Sequence, residues 1–226
     1  PNPNIAIVDG PVLDIAFKSG IGMHPTPLLH GMTLGEQAKM INGEKWLKNG
    51  IQCKLTVIPC LNYDRSRSYS LPVRPSPNLP NDQSINLYVS LCLFEGTNVS
   101  MGRGTEKQFQ IYGSPYLPKS DFAFTPKPNF GDKAPFYNGV ECNGEDLSAI
   151  PRINRLEIKW LIKAYQTTAD KSKFFDKRKF SIRAGNEKLQ QQIEGGVSED
   201  EIRNSWKEGL ENFKKMRQQY LIYKEK

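Results

Sequence analysis

The sequence predicts an α+β protein with a mixed small sheet or barrel-like core, flanking helices and a long C-terminal helix. Three observations lead there. Short strand-like runs gather in the middle of the chain, the apolar period turns helical from Arg155 onward, and two capping-box patterns, Thr33 with Glu36 and Ser198 with Glu201, mark helix starts on either side.

The opening segment to Pro27 is rich in Pro and Gly and reads as an extended connection. After Thr33, the apolar positions Ala38, Met40, Ile41, Trp46 and Leu47 predict a helix that Asn49-Gly50 stops. Residues 54–58 read as a strand closed by Pro59. Residues 62–81 form a loop whose path is fixed by Pro72, Pro75, Pro77 and Pro80. On that stiff backbone Arg74, Ser76 and Asn78 suit a binding edge, and a merely rigid connection would look the same. Asp82 is placed to cap a helix over residues 87–94, although Leu87, Val89, Leu91 and Leu93 alternate as a strand would; we favour the helix. Strands are expected at 108–112, 122–125 and 139–142, with a loop over 126–135. Beyond Arg155, Leu156, Trp160, Leu161 and Ala164 share one helical face. A short helix over 188–193 ends at Gly195-Gly196. The final helix turns Ile202, Trp206, Leu210, Phe213, Met216, Tyr220 and Leu221 inward as a core stripe.

With 226 residues, 38% apolar and 24% charged, the chain can bury a core as one large domain or two small ones. No apolar run is long enough for a membrane-spanning helix. The net charge of +7 arises wholly in residues 152–226, which carry 18 Lys/Arg against 11 Asp/Glu while residues 1–151 balance at 13 and 13. In that last third acids and bases interleave at helical spacing, the pattern of a solvated face, and no nucleic-acid motif accompanies them, so no nucleic-acid partner is expected. Cys53, Cys60, Cys92 and Cys142 show no CxxC spacing and the only histidines are His24 and His30, so neither a metal site nor a cofactor is expected. Spacing alone does not decide whether Cys53 and Cys60 pair in an oxidising compartment. The chain opens on Pro1 without Met, which suggests a fragment whose upstream portion, with any targeting signal, lies elsewhere.

The segment LFEGTNVSMGRGT, residues 93–105, carries the most chemistry. Glu95 follows an apolar run, so its carboxyl group sits at the end of a buried element. Arg103, between Gly102 and Gly104, offers a planar fork suited to a carboxylate or phosphate. A surface loop in which Glu95 caps a turn and Arg103 makes an internal ion pair would have the same composition. A dinucleotide reading is weaker, because Lys107 stands where GxGxxG needs its third glycine and no ribose-binding acid is evident.

The set PNPN (1–4), VDGP (8–11), HGMTLGE (30–36), RPSPNLP (74–80), LFEGTNVSMGRGT (93–105) and FKKMRQQYLIY (213–223) resembles the bacterial exo-β-N-acetylmuramidases, the NamZ-like glycoside hydrolases. The resemblance runs end to end. It implies a protein that releases terminal N-acetylmuramic acid from peptidoglycan fragments in cell-wall recycling, in the periplasm or outside the cell. It implies further that residues 1–27 lead out of a missing upstream Rossmann-like domain and that residues 28–226 are the C-terminal, substrate-binding part, inactive without that domain. Its substrates would be muramyl saccharides. Glu95 and Asp9 are then the candidate catalytic carboxylates, since such hydrolysis usually needs two. His30, Arg74, Ser76, Asn78, Asn98, Ser100 and Arg103 are the candidate substrate-binding residues, Arg74 or Arg103 meeting the lactyl carboxylate of muramic acid. A non-catalytic carbohydrate-binding or interaction module is the alternative.

Overall fold

A computed structural model describes residues 7–63, 65 and 68–223, so the PNPN segment lies outside the described residues. The chain is α+β, as its patterns predict, but its strands form two small antiparallel sheets and no barrel among the described residues. Strand β1 (Val8–Val12) pairs with β2 (Pro27–His30), in register Val8 with His30 and Asp9 with Leu29. The opening segment is thus no simple connection: its first part is an element of the fold. The second sheet has the order β3-β5-β4, from Ile111–Ser114, Cys142–Asp146 and Ala123–Phe124.

Helix α1 (Leu34–Gly43) starts where the capping box requires, with the Thr33 hydroxyl accepting from the Glu36 amide and the Glu36 carboxylate accepting from the Thr33 amide at 2.8 Å. It ends at Gly43, short of Trp46, and Asn49 takes a left-handed conformation in the turn beyond. The strand expected at 54–58 is absent. An extended run is a strand only when a neighbour pairs with it, and none does so among the described residues. Cys53 and Cys60 are both free there.

Helix, not strand, prevails after residue 81. Helix α2 (Asp82–Leu91) is capped by Asn81, one residue earlier than expected, in a box with Ser84. It tightens into a 3-10 turn over Cys92–Gly96. The helices α3 (Lys159–Thr167), α4 (Lys177–Ala184), α5 (Lys188–Glu194), α6 (Glu199–Asn204) and α7 (Lys207–Arg217) follow. The long C-terminal helix is bent: between α6 and α7 the Ser205 hydroxyl donates to Ile202 O at 2.7 Å, and Trp206 sinks into the core. Helix α4 carries no sequence expectation, because KRKFSIRA buries only Phe180, Ser181 and Ala184.

The main core gathers Leu87, Leu91, Phe94, Leu161, Phe174 and Phe180 with Ile202 and Trp206 of the predicted stripe. A smaller cluster of Met32, Met40 and Phe213 joins α1 to α7, with Met216, Tyr220 and Leu221 against it. Beside it lies Glu36, wholly buried. Its carboxylate accepts from the Arg65 guanidinium, from Ile222 N at 2.7 Å and from Tyr223 N at 3.2 Å, tying the chain end to α1. Burial would raise its pKa, but the Arg65 bond and those from Thr33, Ile222 and Tyr223 outweigh it and bring it to about 2. No helix among the described residues is long and apolar enough to cross a membrane.

Candidate functional site

The 3-10 turn after α2 buries Leu93 and Phe94 and leaves Glu95 at the rim with its side chain 14% exposed. Gly96 then admits α4. A Cβ there would stand 2.4 Å from the Phe180 Cα, so only glycine lets the helix backbone approach so closely. Three residues on from Phe180, Arg183 reaches Glu95, with Nη2 to Oε2 at 2.5 Å. On the other side Gly102 and Gly104 adopt φ of +78° and +80°, which a side chain would strain, and they present Arg103 between them. Arg103 Nη1 lies 3.7 Å from Glu95 Oε1, and its Nε lies 3.0 Å from Asp132 Oδ2. The result is a row of alternating charge: Arg183, Glu95, Arg103, Asp132.

Asp132 is held by its own loop. Its amide donates to Asn129 Oδ1 at 2.9 Å, its Oδ1 accepts from Ala134 N at 3.0 Å, and Asn129 Nδ2 donates to Thr105 O at 3.0 Å. The same loop receives the proline-rich segment. Asn78 Nδ2 donates to Gly131 O at 2.8 Å, and the Arg74 guanidinium stands 5.9 Å from the Phe130 ring centre. Ser76 shapes this approach, its hydroxyl accepting from Asn78 N at 3.3 Å. Two sequence-predicted segments, Arg74 to Asn78 and Arg103, therefore meet residues 129–134 directly, and Glu95 joins them through Arg103.

Other predicted residues serve differently or lie elsewhere. Ser100 is 1% exposed and closes the turn, its hydroxyl accepting from Gly102 N at 3.3 Å while its backbone pairs with Gly113. Asn98 lies in the convergent loop: its amide N donates to Phe174 O at 2.8 Å, and its carbonyl accepts from the Ser114 and Tyr137 hydroxyls at 2.7 and 2.8 Å. Asp9 shares no partner with Glu95 in these contacts. Its Oδ2 accepts from Leu156 N at 2.8 Å and from Arg203 Nη1 at 3.2 Å, joining β1 to α6. His30 belongs to the α1 region, where Nδ1 accepts from Met32 N at 3.1 Å. Burial and the nearby Arg217 cation lower its pKa to about 4, so the ring is neutral at pH 7.

Arg183, Asp132 and Tyr88 are the members of the cluster that sequence reading missed. Arg183 and Asp132 come from remote segments that only the fold delivers, whereas Tyr88 is local, on the helix that leads into Glu95. Burial pushes the Tyr88 phenol up, with Cys92 and Glu95 adding to the effect and Arg183 and Arg103 opposing it. The Cys92 thiol is pushed up to about 12, by burial and then by Glu95, so it is chemically quiet. Among the described residues no group of His, Cys, Asp or Glu is placed to hold a metal ion.

Chemically, the row offers an anion site. Arg183 holds one Glu95 oxygen and Arg103 faces the other at 3.7 Å, which orients a carboxylate more than it frees one. Arg103 is 38% exposed, and its terminal nitrogens make one long contact to Glu95, leaving the fork able to take a carboxylate from solution.

Comparison with known proteins gives this arrangement a context. A model described as exo-beta-N-acetylmuramidase NamZ, C-terminal, matches residues 86–223, and its N-terminal counterpart matches residues 1–83. The chain therefore meets both models, which corrects the expectation of a C-terminal part alone. It is 32% identical to the peptidoglycan beta-N-acetylmuramidase NamZ of Bacillus subtilis (strain 168), over 99% of its own length and 58% of that protein's. Among solved structures it resembles a DUF1343 family protein of Bacteroides fragilis NCTC 9343 with a TM-score of 0.94 and 45% identity, covering all of this chain and 65% of that one. A second DUF1343 family protein of that organism shares the fold at a TM-score of 0.79 and 20% identity, over 99% of this chain and 65% of its own. The chain thus spans about three-fifths of the length of these relatives, and it belongs to the exo-β-N-acetylmuramidase NamZ family.

Proposed function

We propose that this chain is part of an exo-acting glycoside hydrolase that releases terminal N-acetylmuramic acid from peptidoglycan fragments, and that the convergent loops line its substrate cleft. The observation that carries the reading is the charge row in a member of this family: a half-exposed Arg103, whose terminal nitrogens make only one long contact among the described residues, beside a Glu95 fixed by Arg183. N-acetylmuramic acid differs from N-acetylglucosamine by a lactyl ether that bears a carboxylate, and a guanidinium fork is the matching group. In this reading Arg103 takes the lactyl carboxylate, Arg74 and Asn78 border the entering glycan, and Glu95 supports the arginines or supplies acid. Asp9, engaged by Arg203 and Leu156, holds β1 in place.

Hydrolysis of a glycosidic bond ordinarily uses two carboxyl groups on either side of it. We propose that the second comes from an upstream Rossmann-like domain, and that the protein works in the periplasm or outside the cell. Incubating the 226-residue chain with a muramyl disaccharide tests this. Binding with negligible release of muramic acid is expected. Robust release by the chain alone overturns the division of labour and leaves the substrate class standing; absence of both binding and release overturns the substrate class.

A further inference from the structure

Beside the charge row lies an aromatic patch that the proposed chemistry leaves unused. Tyr116 is 47% exposed and Phe136 is 52% exposed, large ring faces left to solvent. The Phe136 and Tyr137 rings are 4.0 Å apart, and those of Tyr137 and Tyr116 are 6.3 Å apart and inclined at 66°. The rings are held by the fold. Pro135, just ahead of Phe136, is buried against Gly104, where a Cβ would stand 2.6 Å from it. The Tyr137 hydroxyl donates to Asn98 O at 2.8 Å, and Tyr116 is fixed by its amide to Ser114 Oγ at 3.2 Å and its carbonyl to Ala169 N at 3.2 Å. The patch is therefore continuous with the loop that carries Glu95, Asn98 and Arg103.

Two enclosed polar groups border it. Among the described residues the Asn98 side chain has both Oδ1 and Nδ2 enclosed and without a partner, and the same holds for the hydroxyl of Thr168, a residue 5% exposed and next to Ala169. Enclosed polar groups are almost always bonded, so a pair of unused ones at the margin of exposed rings points to a missing partner with its own hydrogen-bonding edge. A pyranose ring has that form: an apolar face of C–H groups and a rim of hydroxyl or acetamido groups. A site for it combines flat aromatic surface with a few polar groups.

We propose that Tyr116, Phe136 and Tyr137, with the Asn98 amide at their edge, form a subsite that stacks one pyranose ring of the glycan. The proposal rests on the glycan-binding reading above and adds the ring-binding surface to it. Asn98 reaches the sugar by turning about its side-chain torsions, which sacrifices no protein bond because its side-chain amide makes none among the described residues.

Isothermal titration of the 226-residue chain with a muramyl disaccharide tests the subsite. Tyr116→Ala and Phe136→Ala are each expected to weaken binding roughly tenfold, while Tyr116→Trp, which keeps a ring, retains it. Asn98→Ala is expected to weaken binding several-fold, roughly the effect of one hydrogen bond, without lowering the thermal midpoint. Wild-type binding that Tyr116→Ala leaves unchanged overturns the subsite alone. A wild type that binds no glycan removes the functional reading and the subsite with it. Sedimentation provides the remaining arm: a dimer lost in Tyr116→Ala, with glycan affinity intact, would assign the patch to a second copy of the chain and overturn the proposal.

Discussion

Arg183 is the residue on which the geometry of Glu95 depends. It supplies the short contact, 2.5 Å, whereas Arg103 stands at 3.7 Å, so truncating Arg183 releases the carboxylate from its fixed position while truncating Arg103 does not. The two variants should differ accordingly. Arg183→Ala is expected to weaken muramyl and glucosaminyl disaccharides alike, by roughly tenfold, with partial recovery in Arg183→Lys, which keeps the charge and loses the fork. Titration of both sugars against each variant checks this, and a selective loss of the muramyl sugar in Arg183→Ala would transfer the anion-binding role to Arg183. At this scale the sequence was legible where chemistry is local. Glu95 at the end of an apolar run and Arg103 between two glycines stand out, and the ion pair offered as the plain alternative for Arg103 is present, with Asp132. Arg183 was not legible, because its closeness to Glu95 comes from a packing contact between segments some ninety positions apart, and KRKFSIRA carries no mark of it.

Between elements, the contact that positions the row is α4 lying on the 3-10 turn at Gly96. Gly96→Ala would force a methyl into the Phe180 backbone, and we expect a loss of about 1–3 kcal/mol, the usual range for overpacking, read as a lower urea midpoint. Glycan binding should fall with it, since Arg183 travels with α4. An unchanged midpoint would show that the helix is free to move away. Legibility here follows the range of the interaction that decides each element. The two capping boxes are satisfied within four residues, so both helix starts are where the sequence puts them. The start of α2 is displaced by one residue because Asn81, not Asp82, accepts from Ser84 N. The strands of the second sheet are displaced by up to four residues, to Ile111–Ser114 and Cys142–Asp146, since register is settled by pairing. Residues 54–58 have strand-like composition and no ladder, for the same reason.

Across the whole molecule, charge and pH response follow from what is buried. The basic excess of the last third lies on solvated helix faces such as that of α7, where Lys207, Lys214 and Lys215 are exposed and Lys214 pairs with Glu211 at 2.8 Å. Acid stability instead reflects two enclosed groups near α1. His30 has its pKa lowered from 6.5 to about 4, so between those values the unfolded chain binds more protons and stability falls as pH falls. Glu36 has its pKa lowered from 4.5 to about 2, so its contribution is full above pH 4.5 and is lost as pH falls toward 2. Urea midpoints recorded against pH should therefore decline continuously from about 6.5 downward. Glu36→Gln is expected to flatten the lower limb and to cost roughly 3 kcal/mol at pH 7, and His30→Gln to flatten the upper limb alone. A profile unchanged by either variant would show that other groups govern acid unfolding.

The central claim is that Arg103 reads the lactyl carboxylate of a muramyl glycan. Its most direct test is the ratio of affinities for muramyl and glucosaminyl disaccharides, measured by titration for the wild-type chain and for Arg103→Ala. The account predicts a preference for the muramyl sugar of roughly tenfold or more, the range of one charge-assisted pair, that Arg103→Ala abolishes. A wild type with no preference, or a preference that survives in Arg103→Ala, would contradict it.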